Sequence, residues 1–194
     1  MKRVCVFAGS STGARPDYAD AARALARELT RRRIGIVYGG GSVGLMGVLA
    51  DTALADGGEV IGVIPRGLAS RELAHAGLTE QRVVGSMHER KATMAALVDA
   101  FVALPGGLGT LEETLEVLTW SQLGIHAKPV GLLDAAGYYA GLRAFLGHAV
   151  AEGFVRRQYL GLFVHAASPP ALLDALERWR PPPIARAWLD ESQT

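Results

Sequence analysis

A chain of 194 residues, 49% hydrophobic and 20% charged, has the length of one ordinary domain and enough apolar residues for a sizeable core, which excludes global disorder. Its net charge of +1 is too balanced for a general nucleic-acid or membrane-surface binder. The single cysteine, Cys5, excludes an internal disulfide and fits a reducing, cytoplasmic setting, and no stretch is apolar for long enough to span a bilayer.

Val4 to Ala8 reads as a buried strand, too short for the apolar region of a signal peptide. Cys5 lies inside it and reads as a core residue, not a nucleophile. The turn Gly9-Ser10-Ser11-Thr12-Gly13 follows. Asp17 to Arg33 reads as a helix, with Tyr18, Ala21, Ala22, Leu25 and Leu29 at helical spacing and Pro16 near its start. Ile34 to Tyr38 is the second strand. The glycine turn Gly39 to Gly44 leads into a helix, Leu45 to Asp56, stopped by Gly57-Gly58. Glu59 to Ile64 is the third strand. Arg66 to Ser86 is expected to be irregular, a loop long enough to be functional. Met87 to Val98 is a helix, Ala100 to Leu104 a strand, and Leu111 to Leu123 a helix after a third glycine turn. Strand Pro129 to Leu133, helix Tyr138 to Glu152, strand Leu162 to His165 and helix Pro169 to Trp179 complete the pattern.

Strands that are apolar throughout and alternate with helices predict an α/β fold, a Rossmann-like, doubly wound parallel sheet with helices on both faces in three layers. Residues 1–180 read as one nucleotide-binding domain of this kind and residues 181–194 as a C-terminal tail. Ligands of such sheets bind at the carboxyl ends of the strands, where all three glycine turns fall.

The most informative stretch is Leu104-Pro105-Gly106-Gly107-Leu108-Gly109-Thr110-Leu111-Glu112-Glu113. Strand, glycine turn and helix in that order aim backbone N–H groups at a phosphate. Gly39-Gly40-Gly41 offers a second such turn at the same edge. The spacing matches neither a dinucleotide fingerprint nor a lysine-bearing triphosphate loop. Thr110-x-x-Glu113 also fits a capping box, with both carboxylates in the first helical turn and ionised there. Beside a bound sugar the same carboxylates could stabilise positive charge at an anomeric carbon. Arg90 and Lys91, each three or four residues from Met87 and Met94, sit near the inward stripe of their helix. There they are either a ligand-facing pair or side chains snorkelling on a helix shoulder. The five histidines are dispersed without metal-ligand spacing, so no metal is expected.

Pro105-Gly106-Gly107-x-Gly109-Thr110-x-Glu112-Glu113, with Arg90-Lys91 upstream and Tyr38-Gly39-Gly40-Gly41-x-x-Gly44-Leu45-Met46-Gly47 before that, closely resembles the LONELY GUY (LOG) family, related to proteins labelled possible lysine decarboxylase. The resemblance runs from about Val4 to about Gly153. It implies a homodimeric phosphoribohydrolase that splits cytokinin riboside 5′-monophosphates, AMP, or both into free base and ribose 5-phosphate, with no cofactor. It implies Arg90 and Glu113 as the catalytic pair. It also implies nucleotide contacts from Glu72, Lys91, Gly107, Leu108, Gly109, Thr110, Leu111, Glu112 and Thr119, to which the turn Gly39, Gly40 and Gly41 is added. The rival reading is a nucleotide or molybdenum-cofactor carrier of the same architecture. A carrier needs the glycine turns but not Arg90 with Glu113. A pyridoxal-dependent decarboxylase would need a Schiff-base lysine, and only Lys91 and Lys128 are plausible by position.

Overall fold

In the computed structural model, which describes residues 1–68 and 74–183, seven strands form one sheet in the order β4-β3-β2-β1-β5-β6-β7. The strands are β1 (Arg3–Phe7), β2 (Gly35–Tyr38), β3 (Val60–Pro65), β4 (Glu80–Val84), β5 (Ala100–Ala103), β6 (Val130–Leu133) and β7 (Phe163–Ala166), and every pairing is parallel. The helices are α1 (Pro16–Arg31), α2 (Gly44–Ala55), the single turn α3 (Arg66–Leu68), α4 (Met87–Ala96), α5 (Leu108–Leu123), α6 (Ala140–Ala151) and α7 (Pro169–Arg178).

Alternation along the strands sends side chains to both faces. Val4 and Val6 join a core with Leu25 and Leu29 of α1, Leu45 and Leu49 of α2, and Leu172 and Leu176 of α7. Cys5 and Phe7 join a second core with Met94 of α4 and Val117 of α5. A strand buried on both sides has no polar face, which is why these segments are apolar throughout. Leu29 is fully buried, and truncation to alanine is expected to cost about 2–5 kcal/mol.

One strand was not expected. Glu80–Val84 lies within the stretch read as irregular, and it pairs with β3 along one side only. As an edge strand it keeps Glu80, Gln81 and Val83 exposed, so it lacks the apolar signature of its neighbours. The tail beyond residue 183 lies outside the described residues.

The chain builds outward from β1 to β4 and then returns to place β5 on the other side of β1. The loops after β1 and β5 therefore leave the sheet on either side of a switch point, the position at which open α/β sheets hold ligands.

Candidate active site

The glycine turns meet through backbone. The Gly9 N–H donates to Pro105 O at 3.2 Å, and the Leu45 N–H donates to Gly9 O at 3.0 Å. They frame a cleft of about 270 Å³ lined by Ala8, Gly9, Ser10, Met46, Met87 and Arg90 on one side and by Gly107 to Thr110, Glu112 and Glu113 on the other. Larger hollows exist, including a groove of about 620 Å³ beside α4 and α5. The cleft at the turns combines a helix start, a carboxylate and a guanidinium, the convergent polar groups that mark a site.

The wall formed by α5 begins earlier than expected. Gly107 is the N-cap and no side chain caps it, so Leu108, Gly109 and Thr110 supply the first helical residues. The first turn contains no acidic residue, and the capping box expected at Thr110 and Glu113 does not form. A side-chain cap is found instead at α4, where Ser86 Oγ accepts from the Glu89 N–H at 3.1 Å and Glu89 Oε2 reaches back to accept from the Gly85 N–H, one residue before the N-cap. At α5 the opening N–H groups have no side-chain cap, and a Cβ on Gly107 or Gly109 would meet nothing within 4 Å. Room beside an uncapped helix start suits an anion.

Glu113 lies in the second turn, where its carboxylate is largely withdrawn from solvent. Burial pushes its carboxyl above the ordinary range, with Arg90 pulling against that rise. The expectation of a readily ionised acid at the helix tip is thus corrected: distance from the helix end removes the dipole's help, and burial opposes charge. Arg90 Nη2 stands 3.8 Å from Glu113 Oε1, and the two side chains are only 12% and 13% exposed. At that separation the charges attract without a direct hydrogen bond, leaving donor and acceptor capacity for a ligand. Arg90 is fixed from behind: its Nε donates to Val63 O, in the second half of β3, at 3.1 Å.

Arg90 and Lys91 do not share a face. Lys91 turns to the outer groove, where Nζ donates to Glu112 and Glu116 at 2.8 Å each. Burial pulls its ammonium down, but the two carboxylates outweigh burial and hold its pKa above the ordinary lysine value. Thr119 lines that outer groove and donates to Leu115 O. Leu111 points inward to the cluster of Ala103, Leu132 and Tyr139 and can offer the cleft only its backbone. Gly39 lies under the Arg90 guanidinium. Gly40 accepts from the His75 N–H and Gly41 bridges to Ala74, so both hold the segment after β3 and do not line the cleft. Glu72 lies outside the described residues. The cleft adds Ala8, Gly9, Ser10, Met46 and Met87 to the expected set. The signal for the first three was present, since their turn shares the sheet edge with the others. Among the described residues no cluster of His, Cys, Asp or Glu could hold a metal ion, and no helix is long and apolar enough to cross a membrane.

The family profile described as "Possible lysine decarboxylase" matches residues 46–176. The chain is 56% identical to the probable cytokinin riboside 5′-monophosphate phosphoribohydrolase LOGL9 of Oryza sativa subsp. japonica over 93% of this chain and 80% of that protein. It is 52% identical to the cytokinin riboside 5′-monophosphate phosphoribohydrolase LOG7 of Arabidopsis thaliana over 93% of this chain and 83% of that protein. Among solved structures, the molybdenum cofactor carrier protein of Chlamydomonas reinhardtii superposes with a TM-score of 0.70 at 22% identity, covering 91% of this chain and 96% of that one, a likeness of fold.

Proposed function

This chain belongs to the LONELY GUY (LOG) family, within the group profiled as possible lysine decarboxylase, and from that membership we propose that it hydrolyses the N-glycosidic bond of cytokinin riboside 5′-monophosphates, AMP, or both, giving free base and ribose 5-phosphate. The observation that carries the reading is the pairing of Glu113 with Arg90 at 3.8 Å inside the cleft that α5 opens onto.

The phosphate is held by the uncapped N–H groups at the start of α5. Glu113, as carboxylate, stabilises the cationic ribose that forms as the C–N bond breaks and takes a proton from the attacking water. A carboxylate whose affinity for protons is raised by burial is a better base for that step. Arg90 holds Glu113 in its charged form and donates toward the departing base. Water supplies the new anomeric hydroxyl, and the proton it gives to Glu113 passes on to the departing base, which returns Glu113 to its carboxylate.

The reading extends to a cytoplasmic homodimer. Trp120 and Leu123 line the outer groove and Leu115 of the same helix is exposed, surface that a second copy would cover. Sedimentation velocity of the purified protein tests this, with a monomer at micromolar concentration counting against it.

The deciding experiment is incubation with a panel of nucleoside 5′-monophosphates, including AMP and its isopentenyl form, followed by chromatography for free base. Release of base supports hydrolysis. Tight binding without release across the panel would replace it with a carrier role.

A further inference from the structure

Two neighbouring tyrosines hold the loop before α5, and they hold it differently. Tyr139 is buried, and its hydroxyl donates to Leu104 O at 2.7 Å. Tyr138 is 38% exposed, and its hydroxyl donates to Gly106 O. Its ring is set edge-on against Tyr18 and Tyr139, at 5.6 and 5.1 Å between centroids. It lines a hollow with Ser11, Gly13 and Tyr18 that adjoins the cleft of Arg90 and Glu113 along Gly9, Ser10 and Gly107, and it does not itself line that cleft.

The Gly106–Gly107 peptide is trans, so the Gly106 C=O and the Gly107 N–H point in opposite directions. Tyr138 does not line the cleft and Gly107 does, so a carbonyl drawn toward Tyr138 turns that N–H away from the tyrosine and toward the cleft. Between two glycines little else fixes the plane, because neither carries a Cβ to penalise its rotation. Gly107 is also the N-cap of α5, so this N–H stands beside the free donors of the first turn.

We propose that Tyr138 is a positioning residue for the anion cradle, its hydroxyl holding Gly106 O so that the Gly107 N–H is aimed at the ligand's phosphate. The inference rests on the reading that a phosphorylated ribose seats at the start of α5. Tyr138 itself touches neither the phosphate nor the bond that breaks.

The test compares Tyr138→Phe with Tyr139→Phe and the unaltered protein, using calorimetric binding of ribose 5-phosphate and of adenosine, which lacks the phosphate. Tyr138→Phe keeps its ring contacts and is expected to weaken ribose 5-phosphate about tenfold or more, the worth of one hydrogen bond to a charged group, while adenosine binding stays within about twofold. With nucleotide substrate, KM rises by a similar factor and kcat changes little. Tyr139→Phe lowers Tm and leaves the ribose 5-phosphate affinity in place. Equal ribose 5-phosphate affinity in Tyr138→Phe and the unaltered protein overturns the inference, as does equal loss of adenosine. Failure of the unaltered protein to bind ribose 5-phosphate also overturns it. If the unaltered protein releases no base yet Tyr138→Phe weakens ribose 5-phosphate selectively, the reaction is overturned and the positioning role stands.

Discussion

The Arg90 guanidinium occupies the space that a side chain on Gly39 would need: a Cβ built there falls 1.9 Å from Arg90 Nη2. Gly39 follows β2, Arg90 is anchored to the second half of β3, and their contact sets how far the guanidinium reaches toward Glu113.

Replacing Gly39 with alanine is therefore expected to spare the fold and damage the site. The atom displaced is the tip of a flexible side chain, so stability should fall by no more than about 1 kcal/mol. A misplaced guanidinium should lower base release by about a hundredfold. Thermal melts and steady-state rates measure both. Gly39→Ala combined with Arg90→Met should be no slower than Arg90→Met alone, because the two act through one group.

Glu113→Gln should reduce base release by about a thousandfold while nucleotide affinity stays within a few-fold. Binding calorimetry with AMP beside turnover assays separates the two effects. Full turnover in this variant would remove Glu113 from the chemistry.

The pH dependence follows from the same carboxyl. Burial raises the Glu113 pKa above 4.5, and the active form carries the charge. Activity should climb as pH rises through a limb lying above that value. Arg90 opposes the shift, so Arg90→Met should move the titration to still higher pH. Carbon NMR of the labelled Glu113 carboxyl reads this even where turnover is lost.

A second carboxylate governs stability, remote from the cleft. Glu28 accepts from Arg31 and Arg32, and Arg32 also pairs with Asp174 of α7 at 2.8 Å. The Arg31 hydrogen bond, with help from Arg32 and against burial, lowers its pKa from 4.5 to about 2. A depressed acid stabilises the fold above its unfolded value and loses that effect as pH falls through its folded value. Denaturant melts of Glu28→Gln and the parent should differ most above pH 4.5 and converge as pH approaches 2. A difference that persists undiminished at the acid end would mean packing, not charge, is at work.

Pyridoxal phosphate should form no borohydride-reducible adduct at Lys91. A Schiff base needs a neutral amine, and the Lys91 ammonium is pinned by Glu112 and Glu116. Peptide mapping after reduction checks this.

Much of this architecture could be read from the chain because its strands are buried on both faces and their turns are rich in glycine. The parts that escaped have local causes. The edge strand Glu80–Val84 pairs on one side and so carries polar residues. The start of α5 was misplaced at Thr110 because a hydroxyl is the usual capping signal, whereas here Gly107 leaves the position bare. Arg90 and Lys91 are adjacent in sequence but about 100° apart around a helix, enough to send one to Glu113 in the cleft and the other to Glu112 at its border and Glu116 in the outer groove. The resemblance implies different roles for the two, whereas their reading as a pair near one inward stripe gives way to side chains that diverge.

The interlocked glycine turns have an evolutionary consequence. Their mutual contacts, Gly9 to Pro105 and Leu45 to Gly9, are made by main chain. A Cβ on Gly9, Gly44 or Gly106 would press on the backbone of a neighbouring turn, so this end of the cleft tolerates no side chain at those positions. Met46, Met87 and the 86% exposed Leu108 border the same cleft with side chains and make none of those main-chain contacts. Point changes at these three positions would alter the lining of the cleft while leaving the main-chain contacts between the turns in place, so variation is confined to the rim and barred from the frame.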